Sequence, residues 1–379
     1  MNFDWSPEQQ AYRRRLQDFL AQTLPPDWAK IRSKGVASGA QIDYSKKFCA
    51  QMADAGLLVH HWPKEYGGGD GDAWEHFVLG EEMLVNGEPR GPQYMNVNWI
   101  GPAIMRFGTD AQKAQHLDLI SKGNVVWCQG FSEPNAGSDL SAMRTFAERR
   151  GDKYIVNGSK IWTSYSWRAD WCFLLTRSSM EKRAITALML PMNTPGLTVK
   201  PIPGITEEGH LNELFFTDVE VPVSQRLGDE GQAWEIVTFA LNYERVGIPR
   251  YHWARKTLDL AVLHLQNEGR FDDPLVRAAA GRVLAACEAA RLLTYVIVDQ
   301  RAKGLPPTPD ASISRLATAD CTHAMNDFIA EYLPETLAGG DSDLNVFYGF
   351  SMAASIAAGT YEIQAGLVAQ RVLQLPKGD

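Results

Sequence analysis

Cysteine is scarce in this sequence: five residues are scattered along 379, and none belongs to a Cys-x-x-Cys pair. An odd, dispersed set argues against a disulfide framework and against a thiolate zinc site. We therefore expect buried thiols and no bound metal.

Long apolar runs are also missing. No uncharged stretch approaches the ~20 residues of a membrane span, and the longest notable one, 347–361, is short and rich in Ser, Gly and Ala. The first twenty residues contain Asp4 and Glu8 and lack the apolar core of a signal peptide. These absences predict a cytoplasmic protein that does not insert into membranes.

Positive charge is in the minority, with 37 Lys and Arg against 45 Asp and Glu and a formal net charge of −8. This balance disfavours a nonspecific nucleic-acid or anionic-membrane surface, so an anionic ligand must be held by local donors. The length suggests about two to three domains of ~150 residues. A hydrophobic content of 45% is that of an ordinary globular chain.

The pattern of apolar residues divides the chain into three parts. Residues 1–123 have helical spacing, and Ser6 followed by Pro7 marks the first helix start. Residues 124–226 contain short β-branched and aromatic runs separated by Gly, Pro and Asn, whereas 227–379 return to helical spacing. Four long segments in the last part predict a helical bundle. The expected fold class is α+β, multi-domain and mostly α.

Two segments of the middle part have residue types suited to a flat, phosphorylated ligand. The first, 130–139, reads GFSEPNAGSD and leaves the first predicted strand as a loop. Its small residues let backbone N–H groups approach a ligand, and Ser132 and Ser138 add hydroxyl donors. The second, 158–164, reads GSKIWTS, where Trp162 could cover one face of a ring system. Singly, each residue is better explained by a surface turn or by core packing; the ordered combination is the specific signal.

Five motifs in this order resemble the acyl-CoA dehydrogenase family over essentially the whole chain. They are WPKEYGG at 62–68, SEPNAGSD at 132–139, NGSKIW at 157–162, DVEVP at 218–222 and GTYEIQ at 359–364. The resemblance implies a helical N-terminal domain at 1–123, a middle β-barrel at 124–226 and a C-terminal four-helix bundle at 227–379. It also implies FAD as the cofactor and α,β-dehydrogenation of an acyl-CoA thioester.

The same resemblance assigns binding residues. The cofactor set is Gln129, Phe131, Ser132, Gly137, Ser138, Trp162, Ser164 and Thr360. The two serine hydroxyls of the 132–139 loop would bond the flavin or its phosphates, and Trp162 and Ser164 would line the isoalloxazine ring. Phe131 replaces a small aliphatic residue usual in the family. The substrate set is Arg245, Ala358 and Gly359, with a backbone N–H near Ala358 as a donor to the thioester oxygen.

The reaction needs a base for the α proton, and the position that many family members use carries Ala358, which cannot accept a proton. A subgroup similar to isovaleryl-CoA dehydrogenase places its Glu on the first long helix of the C-terminal bundle, and Glu244-Arg245 matches that Glu-Arg pair. The helical neighbours of Glu244 are all apolar: Val237, Ala240, Leu241 and Ile248. A poorly hydrated carboxylate is more basic. We therefore expect Glu244 to take the α proton while hydride passes to flavin N5.

Three other residues bear on this assignment. An ion pair with Arg245 is the structural alternative, but residues i and i+1 diverge by about 100° on a helix and do not face each other. Glu362 is the competing carboxylate, which we interpret as structural because it fits the family's common Glu-Ile-Gln positions. Pro249, five residues past Glu244, should kink or end the helix.

A second family site is degraded here. Family homotetramers complete each FAD site with an Arg-x-x-Phe-Gly segment from a neighbouring subunit, but the matching stretch 268–272 reads EGRFD. Glu268 stands in the Arg position and Asp272 in the Gly position, and two carboxylates would repel a pyrophosphate. Arg270 could rescue the site by a one-residue register change. We expect a homologous partner subunit in an α2β2 assembly, similar to two-subunit steroid-CoA dehydrogenases, to supply the arginine.

The expected substrate is a bulky or branched acyl-CoA, with a steroid side chain favoured over a medium-chain acyl group. An electron-transfer flavoprotein would reoxidise the flavin. Two other functions stay open: an acyl-CoA oxidase-like flavoenzyme and a non-catalytic partner subunit of a heteromeric dehydrogenase. Peroxide formation would reveal the first, and a flavin that no acyl-CoA bleaches would reveal the second.

Overall fold

A computed structural model of the protein describes residues 5–35, 38–179, 181, 184–205, 210–247, 249–305, 308–338, 342–357 and 359–376. Between 241 and 247 it describes the backbone alone. Helices, then strands, then helices follow one another along the chain, as predicted. Within these ranges, no helix combines the length and the apolar character that crossing a lipid bilayer requires.

The described α-helices are α1 (Pro7–Thr23), α2 (Trp28–Arg32), α3 (Gly39–Asp54), α4 (Ala73–Val85), α5 (Gln93–Met95), α6 (Gly101–Phe107), α7 (Asp110–Ser121), α8 (Ala233–Gly247), α9 (Arg250–Asn267), α10 (Pro274–Ala302), α11 (Asp310–Tyr332), α12 (Asp343–Ser351) and α13 (Tyr361–Arg371). A π-helical segment, Asn96–Ile100, joins α5 to α6. The strands are β1 (Trp127–Gly130), β2 (Phe146–Arg150), β3 (Lys153–Lys160), β4 (Trp171–Arg177), β5 (Ile185–Pro191), β6 (Leu197–Pro201), β7 (Asn212–Pro222) and β8 (Arg226–Leu227).

Local hydrogen bonds show why α1 begins at Pro7. The Ser6 side chain accepts the Gln9 N–H, the Gln9 side chain accepts the Ser6 N–H, and Pro7 occupies the first helical position. This capping box satisfies two backbone donors that a helix start leaves unpaired. The predicted start signal at Ser6 is therefore confirmed.

The chain forms two compact units. The first contains Met1–Gly35, Gly71–Glu88 and Arg245–Asp379. In it, α10 packs on α9 and α11, and α11 packs on α13, which matches the predicted C-terminal bundle. Buried side chains from these helices, such as Val283 and Met325, form its core.

A buried carboxylate ties α1 and α4 to the start of α9 in this unit. Glu81 is 1% exposed. Its Oε2 accepts a bond from Arg13 at 2.5 Å, and its Oε1 accepts the Tyr251 hydroxyl at 2.6 Å. Burial and the Glu81 charge raise the pKa of Tyr251, so the hydroxyl keeps its proton and donates. A fully partnered network of this kind fixes how the helices meet.

The second unit contains Val36–Asp70 and Pro89–Glu244 and is built on one sheet. Its strand order is β6-β7-β3-β2-β4-β5-β8, with β1 running parallel beside β4. The predicted barrel is not closed, because among the described strands β6 pairs with β7 alone and β8 with β5 alone. Strand β8 has only two residues, and β6 ends at Pro201, which has no N–H to donate. The middle domain is therefore an open sheet.

The thiol prediction is confirmed, since all five cysteines are buried and free. Two of them, Cys128 on β1 and Cys172 on β4, lie at paired positions in the sheet core. Burial raises the pKa of Cys128 well above its usual value, so the thiol stays protonated and packs as a small apolar group.

The WPKEYGG motif forms a tight turn in the second unit. Gly67 has a left-handed φ of 85°, and a Cβ on Gly68 would lie 1.8 Å from the carbonyl oxygen of Trp62. Trp62 itself is buried and donates its indole N–H to the Val97 carbonyl of the π-helical segment at 2.9 Å. The glycines are thus required because the turn closes onto the backbone of the residue that anchors it.

A buried histidine makes this unit sensitive to acid. His116 on α7 is 1% exposed, and its ring lies edge-on to Trp127 at 5.1 Å and to Trp171 at 4.7 Å. Burial lowers the pKa of His116 to about 4, because a charged imidazolium is poorly solvated there.

Lowering the pH from 7.5 to 5 should therefore reduce the free energy of unfolding. The unfolded chain takes up a proton at His116 near its ordinary pKa of about 6.5, whereas the folded chain does so only near pH 4. At pH 5, this difference in proton uptake at His116 lowers the free energy of unfolding by about 2 kcal/mol. Urea titrations at both pH values should show a loss in His116→Phe that is smaller by this amount. Burial also lowers the pKa of His210 to about 4, and the loss that His210 causes should be the same in both proteins. Equal losses in the two proteins would contradict the assignment.

Candidate active site

Strand β1 leads directly into the first predicted motif, residues 130–139. Gln129 lies opposite Phe173 in the parallel β1–β4 pair. After the strand, Phe131 packs its ring edge-on against Phe173, with centroids 5.4 Å apart. Gln129, Phe131 and Ser132 are all half-buried, so the loop begins at the surface of the sheet.

The loop then turns sharply and opens to solvent. Glu133 and Ala136 exchange two backbone hydrogen bonds, each 3.0 Å from nitrogen to oxygen. Beyond this turn, Gly137 and Ser138 are exposed, and a Cβ on Gly137 would meet no other part of the protein within 4 Å. Open space beside a backbone amide and a serine hydroxyl is a shape that admits a phosphate.

A buried ion pair fixes the base of this loop. Lys160, at the end of β3, donates to Glu133 Oε1 at 2.9 Å and to the Phe131 carbonyl at 3.0 Å. Glu133 in turn accepts the backbone N–H groups of Arg144 at 2.6 Å and Thr145 at 2.8 Å. Burial by itself would raise the pKa of Glu133, but the Lys160 charge and these hydrogen bonds together lower it. The carboxylate is therefore ionised.

The tryptophan of the second motif, Trp162, has an unusual backbone conformation and is exposed to solvent. Trp162 has a left-handed φ of 60°, and 56% of the residue is exposed. The next residue, Thr163, donates its N–H to the Asn212 carbonyl at 3.0 Å, which pins the segment to β7. Ser164 is half-buried beside it. A bulky side chain in this backbone region is strained, and exposure removes the usual reason for a Trp, so packing within the chain does not explain Trp162.

The remaining predicted contacts lie in the first unit, ahead of α13. Thr360 caps that helix by accepting the Ile363 N–H at 3.3 Å, which leaves its hydroxyl proton to offer to a ligand. Gly359 has a left-handed φ of 92°, and a Cβ there would lie 2.5 Å from the Gln364 side-chain nitrogen. Ala358 lies outside the described residues.

These residues fit a flavin. The exposed indole of Trp162 supplies a flat apolar face, and Ser132 and Ser138 supply hydroxyl donors. The empty space at Gly137 lets backbone amides approach a phosphate.

Comparison with known families decides the assignment. Models of the N-terminal, middle and C-terminal domains of acyl-CoA dehydrogenases match residues 6–124, 128–219 and 231–373. The chain belongs to the acyl-CoA dehydrogenase family. The predicted family and enzyme class are thus confirmed.

Relatives of this acyl-CoA dehydrogenase match along its whole length. Acyl-CoA dehydrogenase IpdE1 of Mycobacterium tuberculosis is 28% identical over 379 residues, covering 97% of each chain. The solved structure of the Tcur3481-Tcur3483 steroid ACAD aligns with a TM-score of 0.88 and 25% identity over 100% of both chains. The ChsE4-ChsE5 complex from Mycobacterium tuberculosis aligns with a TM-score of 0.87 and 28% identity, also over 100% of both chains.

The predicted base and its neighbour lie on α8. The side chains of Glu244 and Arg245 are outside the described residues, so their roles stay predictions. Of the apolar positions near Glu244, Val237 and Ala240 are described, and both are buried, at 3% and 1% exposure. The stripe on which the prediction depends is therefore buried at both described positions.

Pro249 breaks the helix, as predicted. Helix α8 ends at Gly247, and α9 begins at Arg250. The proline precedes α9 as its N-cap residue, with φ of −77° and ψ of 64°. A helix interior would require the N–H that proline lacks, so two helices form in place of one.

Arg270, in the degraded half-site, is engaged within its own chain. Its guanidinium bonds the carboxylates of Glu268 at 2.8 Å and Glu335 at 2.7 Å, and also the Tyr332 carbonyl. With His264, the two carboxylates are close enough together to hold a cation, and Arg270 already supplies positive charge there. These bonds would have to break before Arg270 could reach another subunit.

Sequence reasoning missed Glu133 and Lys160 as site residues. A usable signal exists on β3, where Lys160 lies an even number of residues after Tyr154 and Val156, which face the sheet core. A lysine at a core-facing strand position needs an anionic partner. Glu133, inside the neighbouring motif, is that partner.

Trp162→Asn should separate stability from cofactor binding. Asn tolerates the left-handed region, and little burial is lost, so the free energy of unfolding should change by less than about 1 kcal/mol. Affinity for the flavin that the family resemblance implies should fall, because the flat face is gone. Urea unfolding and flavin titration measure the two effects.

The matched control is Trp62→Asn, at a tryptophan only 1% exposed. It should lose about 3–5 kcal/mol of stability, as large-to-small core changes do. A Trp162→Asn protein that unfolds as readily as this control, or that binds flavin as well as wild type, would contradict the role given to Trp162.

Proposed function

We propose that this enzyme oxidises the α,β carbon–carbon bond of an acyl-CoA thioester with FAD as its cofactor. The observation that carries the proposal is the exposed, left-handed Trp162. It follows Ile161, whose N–H donates to the Ser132 carbonyl at 2.9 Å, so the Trp162 backbone lies close to the serine loop. A costly backbone conformation and an uncovered indole are both explained if a flat ring system packs there.

Bound FAD would supply a hydride acceptor at N5 of its ring system. Trp162 and Ser164 would cover one face and reach the edge of the ring. The hydroxyls of Ser132 and Ser138 would bond the flavin or its phosphates. Such neutral donors can hold a phosphate in a chain that has fewer basic than acidic residues. The family resemblance adds four further contacts: Gln129, Phe131, Gly137 and Thr360.

Glu244 would remove the α proton of the substrate. Substrate binding would displace water from the apolar stripe around it, which raises the basicity of the carboxylate. Negative charge that builds on the thioester oxygen would be stabilised by a backbone N–H at Ala358 or Gly359, a donor that does not depend on the side chain. Arg245 would contact the substrate beside the base.

We favour a bulky acyl group, such as a steroid side chain, over a medium-chain one. The support is the full-length likeness to a protein described as a steroid ACAD. An electron-transfer flavoprotein would accept the electrons, and the buried free thiols suit a cytoplasmic location.

A homologous partner subunit would complete the cofactor site in an α2β2 assembly. The intrachain bonds of Arg270 remove the one cation in the 268–272 motif that could meet a pyrophosphate. The structural relatives named as pairs, Tcur3481-Tcur3483 and ChsE4-ChsE5, support a two-chain arrangement.

Glu244→Gln should keep its flavin and lose its chemistry. In an anaerobic cuvette, acyl-CoA should bleach wild-type flavin and bleach the variant about 10²–10⁴-fold more slowly, because the amide cannot take a proton. Glu362→Gln is the matched control and should bleach like wild type. A Glu244→Gln enzyme with the wild-type rate would place the base elsewhere.

The same assay distinguishes the other functions. Wild-type flavin that no thioester in a panel of straight, branched and steroid acyl-CoAs bleaches, with or without the partner subunit, would favour a non-catalytic subunit. Steady peroxide release in air would favour an oxidase.

The chain produced alone should hold less than one FAD per chain. Glu268→Arg combined with Asp272→Gly restores the family motif and should raise that content toward one, because an arginine then faces the neighbouring site. Arg270→Met in the two-subunit complex should leave FAD content unchanged and have little effect on stability, since its ion pairs are exposed. Absorbance at the flavin band gives the ratio. Full FAD content in the wild-type chain alone would reject the partner requirement.

A further inference from the structure

We infer that Lys160 and Glu133 are positioning residues for the flavin: the pair fixes the backbone on both sides of Ser132 and closes the loop that carries Ser138. The inference rests on the proposed function for its ligand, whereas the loop geometry stands without it.

Lys160 clamps the two neighbours of Ser132. The lysine is fully buried, and its ammonium bonds the Phe131 carbonyl at 3.0 Å and Glu133 Oε1 at 2.9 Å. The Ser132 carbonyl itself accepts the N–H of Ile161, the residue after the lysine, at 2.9 Å. Three consecutive loop residues are thus held by two consecutive residues at the end of β3.

Glu133 closes the loop at its other end. Its two carboxylate oxygens accept the N–H groups of Arg144 at 2.6 Å and Thr145 at 2.8 Å, just ahead of β2. Ser138 lies between these attachment points. One carboxylate therefore joins the start of the loop, the end of the loop and the lysine.

The Lys160–Glu133 pair is better suited to orienting the loop than to stabilising the fold. A buried ion pair adds little over a well-packed apolar pair, but it is directional when every donor and acceptor is matched. Here the ammonium meets two oxygen acceptors and, at 3.9 Å, the Met143 sulfur, and the carboxylate meets two backbone donors and a cation. A Met side chain offers no donor, and a Gln side chain offers one acceptor oxygen in place of two.

Three variants separate positioning from stability: Lys160→Met, Glu133→Gln and the double variant. Lys160→Met leaves the Glu133 carboxylate buried without its cation, so the melting temperature of this variant should fall by several degrees. The double variant removes both charges and should recover most of that loss. Its FAD dissociation constant should nevertheless stay about ten- to hundredfold above that of wild type, because the loop contacts are still missing.

A second readout needs no cofactor. In the apoprotein, hydrogen exchange at the Arg144, Thr145 and Ile161 amides should quicken at least about tenfold in the double variant. One acceptor oxygen replaces two at position 133, and the Ser132 carbonyl that accepts the Ile161 N–H is no longer held from both sides. Both readouts use the full chain, with its partner subunit where the wild type requires one to bind FAD.

Tyr154→Phe is the matched control. It lies on the same strand and loses a 2.6 Å hydrogen bond to Glu230, outside the 131–145 loop. It should lower the melting temperature while leaving the FAD dissociation constant and these three exchange rates unchanged.

The outcomes are distinct. A double variant whose FAD affinity returns to wild type along with its stability overturns the positioning role, as do unchanged exchange rates at the three amides. A wild-type complex that binds no FAD rejects the proposed function, while the exchange experiment still decides whether the pair holds the loop.

Discussion

Lys160, which has no solvent contact, lies where the two segments of the proposed cofactor site meet. Its ammonium cannot remain unpaired in the sheet, because removing one member of a buried pair costs about 3–5 kcal/mol. Glu133 supplies the anion, and the chain after β1 must therefore fold back over the end of β3. The GFSEPNAGSD and GSKIWTS segments, which are separate in sequence, become one surface through this requirement.

One residue of the proposed site departs from two local rules at once. Trp162 combines a left-handed backbone with an exposed indole, whereas Trp62 and Trp127 are buried at 1% and 0% exposure. Natural sequences keep such conflicts where function compensates for them. The conflict at Trp162 therefore points to a ligand more strongly than the motif alone does.

Local signals predicted the local structure well. Ser6 and Pro7 predict a helix start, Pro249 predicts a helix end, and short β-branched and aromatic runs predict the strands, because each signal depends on neighbours in the sequence. These local signals do not predict contacts between residues far apart in the sequence. The prediction of a closed barrel is wrong because closure depends on whether two distant edge strands, β6 and β8, can pair. The role of Glu133 required knowing that Lys160, 27 residues later, points into the same core.

Arg270 shows the same limit in the 268–272 segment, where bonds within its own chain argue against rescue by a register change. Its second carboxylate partner, Glu335, is 65 residues away and invisible to motif comparison. A pyrophosphate from another subunit would have to compete with two carboxylates and a carbonyl that already bond the guanidinium. Each exposed pair is weak, but breaking the set would leave Glu268 and Glu335 facing the incoming dianion. The 268–272 segment is here an ion-paired link between α9 and α10, which supports the proposal that a different chain supplies the cation for the cofactor.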